Sequence, residues 1–166
     1  MDNLRNYIHI QMARQDDRLN VVLEVDDHIL HYKTLKLVLQ PVLENAIFHG
    51  IEPKEGPGCI TVTGLLQERD IVFEVRDDGI GILTSIRMSD GGTEFLHDLP
   101  AGESACEVTD WVLSRKQGMG LANVHHRIRL HFGDRYGVRV FAPDEGGTRV
   151  RLRLPAFMNE EELNRL

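Results

Sequence analysis

The sequence lacks the features that define several protein classes. Its two cysteines, Cys59 and Cys106, form no Cys-x-x-Cys pair, and two cysteines cannot build a disulfide framework. No apolar run reaches the ~18 residues of a membrane-spanning helix, and the first residues lack the apolar centre of a secretory signal. Basic residues number 19 against 26 acidic ones, and a net charge of −7 argues against nucleic-acid coating or membrane-surface binding. We therefore expect a cytosolic chain in a reducing compartment.

The remaining composition is that of one soluble domain. The chain has 166 residues, of which 42% are hydrophobic and 27% charged, and a domain of this size folds without metal or disulfide. Apolar residues at helical spacing predict helices over 3–15, 31–49 and 120–132. In the second of these, Pro41 predicts either a kink or the first turn of the helix. Alternation predicts strands over 18–25, 59–66, 71–76, 138–142 and 148–154, with a hairpin turn at 67–70.

Residues 84–117 separate the third predicted strand from the last predicted helix. Their segment up to Ser114 carries six acidic residues and one basic residue, and only the part near 108–113 has a helical pattern. Loops longer than ~12–15 residues inside a compact domain are usually functional lids or disordered. We predict a lid over 84–117.

An acid-to-glycine turn, Asp77-x-Gly79-x-Gly81, follows the strand predicted over 71–76. Glycines there let a flat ligand approach the backbone, and a carboxylate can accept a hydrogen bond from an exocyclic amino group. The sequence has no Gly-x4-Gly-Lys-Ser/Thr loop, and the third glycine of a dinucleotide fingerprint is also missing. Taken alone, the turn is compatible with a ligand site or with a plain tight turn.

A second glycine motif, Gly118-Met119-Gly120-Leu121, opens the helix predicted over 120–132. Free N–H groups and the positive end of the dipole make such a helix start suitable for phosphate. Residues 115–139 contain six Arg or Lys and one acidic residue, in a chain that is acidic overall. The arginines alone could equally form a solvated helix face.

Glu44 and Asn45 lie on the helix predicted over 31–49, with His49 four residues beyond Asn45 and therefore on the same face. A carboxylate, an amide oxygen and an imidazole suit a magnesium–phosphate site, because Mg²⁺ takes oxygen ligands and shares its coordination shell with substrate phosphates. The alternative is a polar position facing solvent. Core-type residues on both sides of Asn45 speak against that alternative.

Four segments, in this order, closely resemble the nucleotide-binding domain of the GHKL superfamily, which includes DNA gyrase, MutL and the sensor histidine kinases. They are an asparagine box at 39–50, glycine boxes at 75–82 and 118–124, and a final Gly-Gly-Thr-Arg-Val segment at 146–150. Two motifs are similar to those of the LytS/YesM-type branch of sensor kinases. They are Gln-Pro-Val-Leu-Glu-Asn-Ala-Ile-x-His-Gly and, near the N-terminus, Asn-Tyr-Ile-x-Ile-Gln-x-x-Arg. The resemblance covers about residues 3–157, and four boxes in order are far more specific than one.

The resemblance implies a two-layer α/β sandwich, the Bergerat-type ATP-binding fold, with a mixed sheet, helices on one face and a long ATP lid. It implies that residues 1–17 are the end of a dimerisation or linker helix. Residues 18–157 would then be the ATP-binding catalytic domain, and 158–166 a C-terminal tail.

Site roles follow from the same resemblance. Asn45 would ligate magnesium, and Glu44 matches the position that prepares a water for attack in ATPase relatives. His49 stands where the family often has a basic residue near the phosphates. On the base side, Asp77 would hydrogen-bond the adenine amino group and Thr148 would support the adenine end.

The glycine boxes supply the remaining contacts. Gly79 and Gly81 would let the base and the lid approach. Gly118 and Gly120 would hinge the lid and receive phosphates, with Met119 and Leu121 in the same box. Lys116 departs from the family by replacing a first glycine, and a cation at the base of the lid could reach the phosphates.

The resemblance implies an ATP- and magnesium-dependent protein histidine kinase domain that transfers the γ-phosphoryl group to a histidine outside this chain. The phosphoacceptor segment of such kinases is absent here. The implied partners are the protein's own dimerisation domain and a response regulator, with no nucleic acid. The implied setting is the cytoplasmic part of a homodimeric, membrane-anchored bacterial sensor. The alternatives are a GHKL-type ATPase or serine kinase, and a non-catalytic nucleotide-binding docking module.

Overall fold

A computed structural model describes residues 1–15, 18–84, 105–114 and 119–158. A 3₁₀ helix spans Asp27–His31 and a π-helical segment spans Ala46–Ile51. The other elements, in chain order, are α1 (Asp2–Arg14), β1 (Leu19–Val25), α2 (Gln40–Asn45), β2 (Gly58–Gln67), β3 (Asp70–Asp77), β4 (Ala105–Glu107), α3 (Thr109–Ser114), α4 (Met119–Phe132), β5 (Gly137–Pro143) and β6 (Thr148–Pro155). Within the described ranges, no helix is long and apolar enough to cross a membrane.

The six described strands form one mixed sheet in the order β1-β2-β3-β6-β5-β4. Strand β1 runs parallel to β2, and the other neighbours are antiparallel. The predicted hairpin is confirmed, because β2 and β3 pair up to Gln67 and Asp70, and Glu68 makes the tight turn with a φ of 57°. The register places Asp77 opposite Thr148, so the ends of β3 and β6 meet at one edge of the sheet.

The helices pack on one face of this sheet, as expected for a two-layer sandwich. Alternate strand residues such as Ile60, Val75 and Leu152 are buried in one core cluster with α1, α2, α3 and α4. The intervening positions, including Arg76 and Arg151, lie on the opposite, more exposed face. The two-residue period of the strands therefore separates a single core from a charged outer surface.

Side chains complete the hydrogen bonding of β5 where β4 does not reach. Strand β4 pairs only with Phe141–Pro143 at the end of β5. Beyond it, the Val138 N–H donates to His125 Nδ1 at 3.1 Å and the Val140 N–H donates to Thr109 Oγ1 at 2.9 Å. Burial lowers the pKa of His125, which keeps the imidazole neutral so that Nδ1 can accept. Side chains from α3 and α4 thus pair with the backbone N–H groups of β5 that β4 leaves unpaired.

The prediction of a continuous helix over 31–49 is wrong for its first half. Leu37 has a φ of 59°, which breaks a right-handed helix, and α2 begins only at Gln40 with Pro41 in its first turn. Proline is tolerated at that position because the N–H it lacks would have no intrahelical acceptor. After Asn45 the helix widens, and the Glu52 N–H donates to the Ile47 carbonyl five residues back at 2.9 Å.

Part of the segment predicted as a lid belongs to the packed domain. Residues 105–107 form strand β4, which the sequence pattern did not predict, and α3 confirms the helical pattern near 108–113. Val108 and Val112 are buried in the core. Residues 85–104 and 115–117 of that segment lie outside the described residues, and the prediction of a lid there stays a prediction.

Candidate functional site

A buried carboxylate marks the end of β3. The Asp77 side chain is 3% exposed, and its Oδ1 accepts a hydrogen bond from the Gly79 N–H at 2.9 Å. Burial raises the pKa of Asp77 to about 6, although the backbone N–H groups of Gly79 and Thr148 both lower it. An acidic group with two fixed donors, held at the edge of a sheet, is suited to bind an amino group.

The neighbouring Asp78 has a different role. Its Oδ1 accepts the Cys59 N–H at 2.8 Å and lies 3.0 Å from Lys54 Nζ, and its side chain is 53% exposed. Asp78 is therefore held by partners on the surface of the domain. The structure thus distinguishes two adjacent aspartates and leaves Asp77 as the buried one.

Close backbone contacts around Asp77 require glycine. A Cβ atom at Gly79 would lie 2.3 Å from the carbonyl group of Gly50, and one at Gly50 would lie 2.7 Å from Asp77 Oδ1. The Ile80 N–H donates to the Gly50 carbonyl at 3.0 Å, which joins the turn after β3 to the π-helical segment. Gly50 was not predicted as a site residue, because this contact joins positions far apart in the sequence.

Gly147, which directly precedes β6, packs against the backbone of Asp77 at the end of β3. It has a φ of 74°, and a Cβ there would lie 1.9 Å from the Asp77 carbonyl oxygen. Gly81, with a φ of 80°, approaches the backbone of Gly147, at 3.1 Å from an added Cβ. The structure thus brings together four of the candidate site residues, Asp77, Gly79, Gly81 and Thr148, and adds Gly50 and Gly147.

Glu44, Asn45 and His49 lie on the segment that leads to Gly50. Glu44 and Asn45 are half-buried at the end of α2, and His49 is exposed in the π-helical segment. Gln40 Nε2 donates to Glu44 Oε1 at 2.9 Å, one turn back on α2. Short π-helical stretches are rare and frequent at functional sites. Here the wider turn connects the polar end of α2 to Gly50, which packs against Asp77.

The start of α4 lies beside the start of α2. An added Cβ at Gly120 would lie 3.8 Å from the Pro41 Cβ, an ordinary contact. Met119 is 61% exposed, whereas the Leu121 side chain is buried in the core, so Leu121 could offer a ligand only its backbone. Lys116 and Gly118 lie outside the described residues.

The available oxygen donors fit a magnesium ion that arrives with phosphates. Among the described residues, no three His, Cys, Asp or Glu side chains are grouped to hold a metal. Asn45 and Glu44 could supply one or two oxygen ligands. Magnesium is usually bound in this way, through few protein ligands together with substrate phosphates and waters.

The mixed sheet, with helices on one face and Asp77 held in a glycine-rich turn at its edge, defines an α/β sandwich with a candidate nucleotide site. Residues 31–157 match the family described as histidine kinase-, DNA gyrase B- and HSP90-like ATPase. The match covers most of the chain, and the protein therefore belongs to this family.

Within this family, the chain is similar to individual sensor histidine kinases. It is 32% identical to the sensor histidine kinase YesM of Bacillus subtilis and 30% identical to the sensor histidine kinase YpdA of Escherichia coli. These alignments cover 93% and 92% of this chain but only 22% and 23% of those proteins. The chain thus spans about a quarter of the length of the curated relatives that it matches.

Solved structures agree on the fold. The catalytic domain of the histidine kinase ThkA aligns with a TM-score of 0.60 and 15% identity, covering 96% of this chain and 95% of that one. The mycobacterial sensor histidine kinase MprB aligns with a TM-score of 0.55 and 17% identity, covering 92% and 91%. The expected fold class is confirmed.

The raised pKa of Asp77 predicts opposite effects of pH on stability and on binding. The folded carboxyl group binds its proton more tightly than the unfolded one, so the contribution of Asp77 to stability falls as the pH rises from about 4 to about 6. From pH 7 to pH 5, we expect the free energy of unfolding to rise by about 1 kcal/mol relative to Asp77→Asn. Over the same range, affinity for adenine nucleotides should fall about tenfold, because the acceptor is protonated.

Urea unfolding and calorimetric binding at the two pH values measure both effects. Asp77→Asn carries the same eight histidines and therefore serves as the control for their titration. Equal pH dependence of the two proteins would contradict the assignment.

Proposed function

We propose that this chain is the ATP-binding catalytic domain of a sensor histidine kinase. In this proposal, it transfers the γ-phosphoryl group of ATP to a histidine in a dimerisation domain outside the chain. The observation that carries the proposal is the buried Asp77 carboxylate, held at the end of β3 in a turn packed closely against Gly50, Gly79 and Gly147. Glycines in this turn would let a flat base approach the backbone, and the Asp77 carboxylate would accept a hydrogen bond from an amino group on that base.

The end of α2 would serve the phosphate end of the nucleotide. Asn45 would contribute an amide oxygen to magnesium, which when bound neutralises phosphate charge and orients the triphosphate. Glu44 would act on the attacking group, and the exposed His49 would face the phosphates. Phosphoryl transfer depends mainly on such positioning and charge stabilisation.

The start of α4 completes the proposed triphosphate site. Met119 and Gly120 begin a 14-residue helix whose first N–H groups have no intrahelical acceptor. Lys116 and Gly118 precede it, and we propose that this segment and the lid close over the phosphates.

The same proposal defines the partners. The similarity to sensor kinases about four times as long supports a larger protein, in which α1 would continue a dimerisation helix. We propose a homodimer, a response regulator as the recipient of the phosphoryl group, and a cytoplasmic position below a membrane anchor outside these residues.

Labelled ATP tests this function. The longer kinase that contains this domain should transfer the γ-phosphoryl group to itself as an acid-labile phosphohistidine when magnesium is present. Acid-stable label would indicate a serine kinase, and steady release of phosphate would indicate an ATPase. Failure of residues 1–166 to bind any adenine nucleotide would favour a docking module.

Replacing Asn45 tests the magnesium site. Asn45→Ala should weaken magnesium-dependent ATP binding about tenfold, while magnesium-free binding changes little, because only the metal contact is lost. Its melting temperature should stay close to that of the wild type, since the side chain is only half-buried.

Leu43→Ala provides the structural comparison, because Leu43 is fully buried beside it and such truncations cost about 2–5 kcal/mol. If Asn45→Ala lowers the melting temperature as much as Leu43→Ala, Asn45 is a structural residue instead.

A further inference from the structure

The outer face of the sheet, opposite the helices, carries its positive charge on arginine. The six described strands contain five basic residues, and all five are arginines: Arg76, Arg139, Arg149, Arg151 and Arg153. The alternation of each strand turns these side chains away from the core. Protein interfaces are enriched in arginine and depleted in lysine relative to the rest of a protein surface. This composition is typical of a surface that binds another protein.

Four of these arginines lie directly opposite one another on neighbouring strands. Arg76 of β3 pairs with Arg149 of β6. Arg139 of β5 pairs with Arg151, two residues further along β6. Like charges at such cross-strand positions repel each other and destabilise a sheet. Each of the four guanidinium groups therefore needs a carboxylate nearby to offset the repulsion.

Three of the four have one. The pairs are Arg76 with Glu145, Arg151 with Glu74 and Arg139 with Glu107, at nitrogen–oxygen distances of 2.7, 2.8 and 3.9 Å. Among the described residues, no carboxylate pairs with Arg149 in the same way. One positive charge on this face thus lacks a partner within the described part of the domain.

An aromatic ring, and no hydrogen bond, holds the Arg149 side chain. The guanidinium carbon of Arg149 lies 5.2 Å from the centre of the Phe141 ring, within the range of a cation–π contact. Its Nε atom is shielded from solvent and makes no hydrogen bond within the described ranges. Buried polar groups without partners are rare in native proteins, and each one requires an explanation. A guanidinium that is already held against a ring also loses little freedom when a partner binds.

We propose that Arg149 is the centre of a docking site for an acidic segment of a partner protein, with a carboxylate of that partner bound to the guanidinium group. Carboxylates match the planar fork of arginine and accept two hydrogen bonds from it. Arg149 lies between Arg76 and Phe141 on an open sheet surface, whereas small ligands bind in concave pockets. The net charge of −7 argues against a polyanionic partner such as nucleic acid or an anionic membrane.

This docking site and the candidate nucleotide site lie on opposite faces of the same two strands. Asp77 and Thr148 are buried on the core side, where β3 and β6 meet. Their sequence neighbours Arg76 and Arg149 lie on the outer side. A docked partner would therefore contact these strand ends without occupying the place of a nucleotide. The inference is independent of the proposed function and is tested without ATP.

A hexaglutamate peptide with blocked ends is the probe. In an NMR titration of the ¹⁵N-labelled chain, the peptide should shift the Nε–Hε signal of Arg149, with a dissociation constant of about 1 mM. Arg149→Gln should weaken binding about tenfold, as followed on the backbone signals of β5 and β6, because the charged hydrogen bonds are lost. This variant should melt at the same or a higher temperature, since an unpartnered donor and a like-charge pair are removed.

Arg139→Gln is the matched control. It removes the same charge from the same face, at a side chain that is 69% exposed and lies beside Glu107. We expect it to change the affinity for the peptide by less than about twofold, because an exposed charge away from the contact is screened by salt.

Four outcomes would overturn the inference. Equal losses of affinity in Arg149→Gln and Arg139→Gln would show that only the net charge matters. Unfolding of Arg149→Gln would show that this arginine serves the fold. The absence of a shift at Arg149 on addition of hexaglutamate would remove it from a docking site. Tighter binding of duplex DNA or of phosphatidylserine vesicles than of the peptide would assign the surface to phosphate groups instead of an acidic protein.

Discussion

Asp77→Ala is expected to lower the affinity for ATP about 100-fold while the domain stays folded. A hydrogen bond to a charged group contributes about 1.5–3 kcal/mol, and the upper end of this range corresponds to about two orders of magnitude. Removal of the buried carboxylate relieves the cost of burying its charge but leaves the Gly79 and Thr148 N–H groups without this acceptor, so the two effects on stability oppose each other. Calorimetric titration with ATP, alongside thermal unfolding, measures both consequences.

The comparison with GTP shows whether the contact is specific for adenine. Guanine presents a carbonyl oxygen where adenine presents its amino group, so the wild-type domain should bind GTP poorly and Asp77→Ala should change that affinity little. Asp77→Asn is the milder variant, because its amide oxygen can still accept from the Gly79 N–H. Equal wild-type affinities for ATP and GTP, unchanged in both variants, would remove Asp77 from the base site.

Gly147→Ala is expected to be the most destabilising small substitution in the domain. Its Cβ would lie 1.9 Å from the Asp77 carbonyl oxygen, which is backbone and cannot move aside, and its φ of 74° already disfavours alanine. We expect a loss of more than about 4 kcal/mol in the free energy of unfolding. Any folded fraction should bind ATP weakly, because the strand that pairs with Asp77 has to shift.

Gly146→Ala separates backbone strain from steric overlap. Gly146 precedes Gly147, has a φ of 93°, and has nothing within 4 Å of an added Cβ. It should therefore lose only the ~1–2 kcal/mol of a left-handed alanine. Similar urea midpoints for the two variants would contradict the close approach of Gly147 to β3.

Much of the sheet could be predicted because its residues alternate. In β2 and β3, buried apolar residues such as Ile60, Val62 and Val75 alternate with more polar ones. This alternation restricts where the strands lie, where they turn and in which register they pair. The position of Asp77 at the end of that hairpin follows directly. In this part of the site, the residues that form the alternating sequence pattern are also the residues that form the hairpin.

Other parts depend on contacts that a linear pattern does not contain. Apolar spacing from Leu35 onward suits a helix, yet the left-handed Leu37 delays the helix to Gln40. Strand β4 has three residues, too few to show a period. Gly50 is required because Gly79 packs against its backbone, a contact between positions 29 residues apart in the sequence.

The edge of the sheet at β5 has a consequence for the behaviour of the protein at high concentration. An uncovered strand presents N–H and C=O groups that recruit strands from other molecules, and aggregation often begins there. His125 and Thr109 occupy the N–H groups of Val138 and Val140 with short side chains rather than with another strand. Because His125 must stay neutral to accept, acidification below its lowered pKa would release the Val138 amide. We therefore expect protonation of this one imidazole to lower the colloidal stability of the domain in acid.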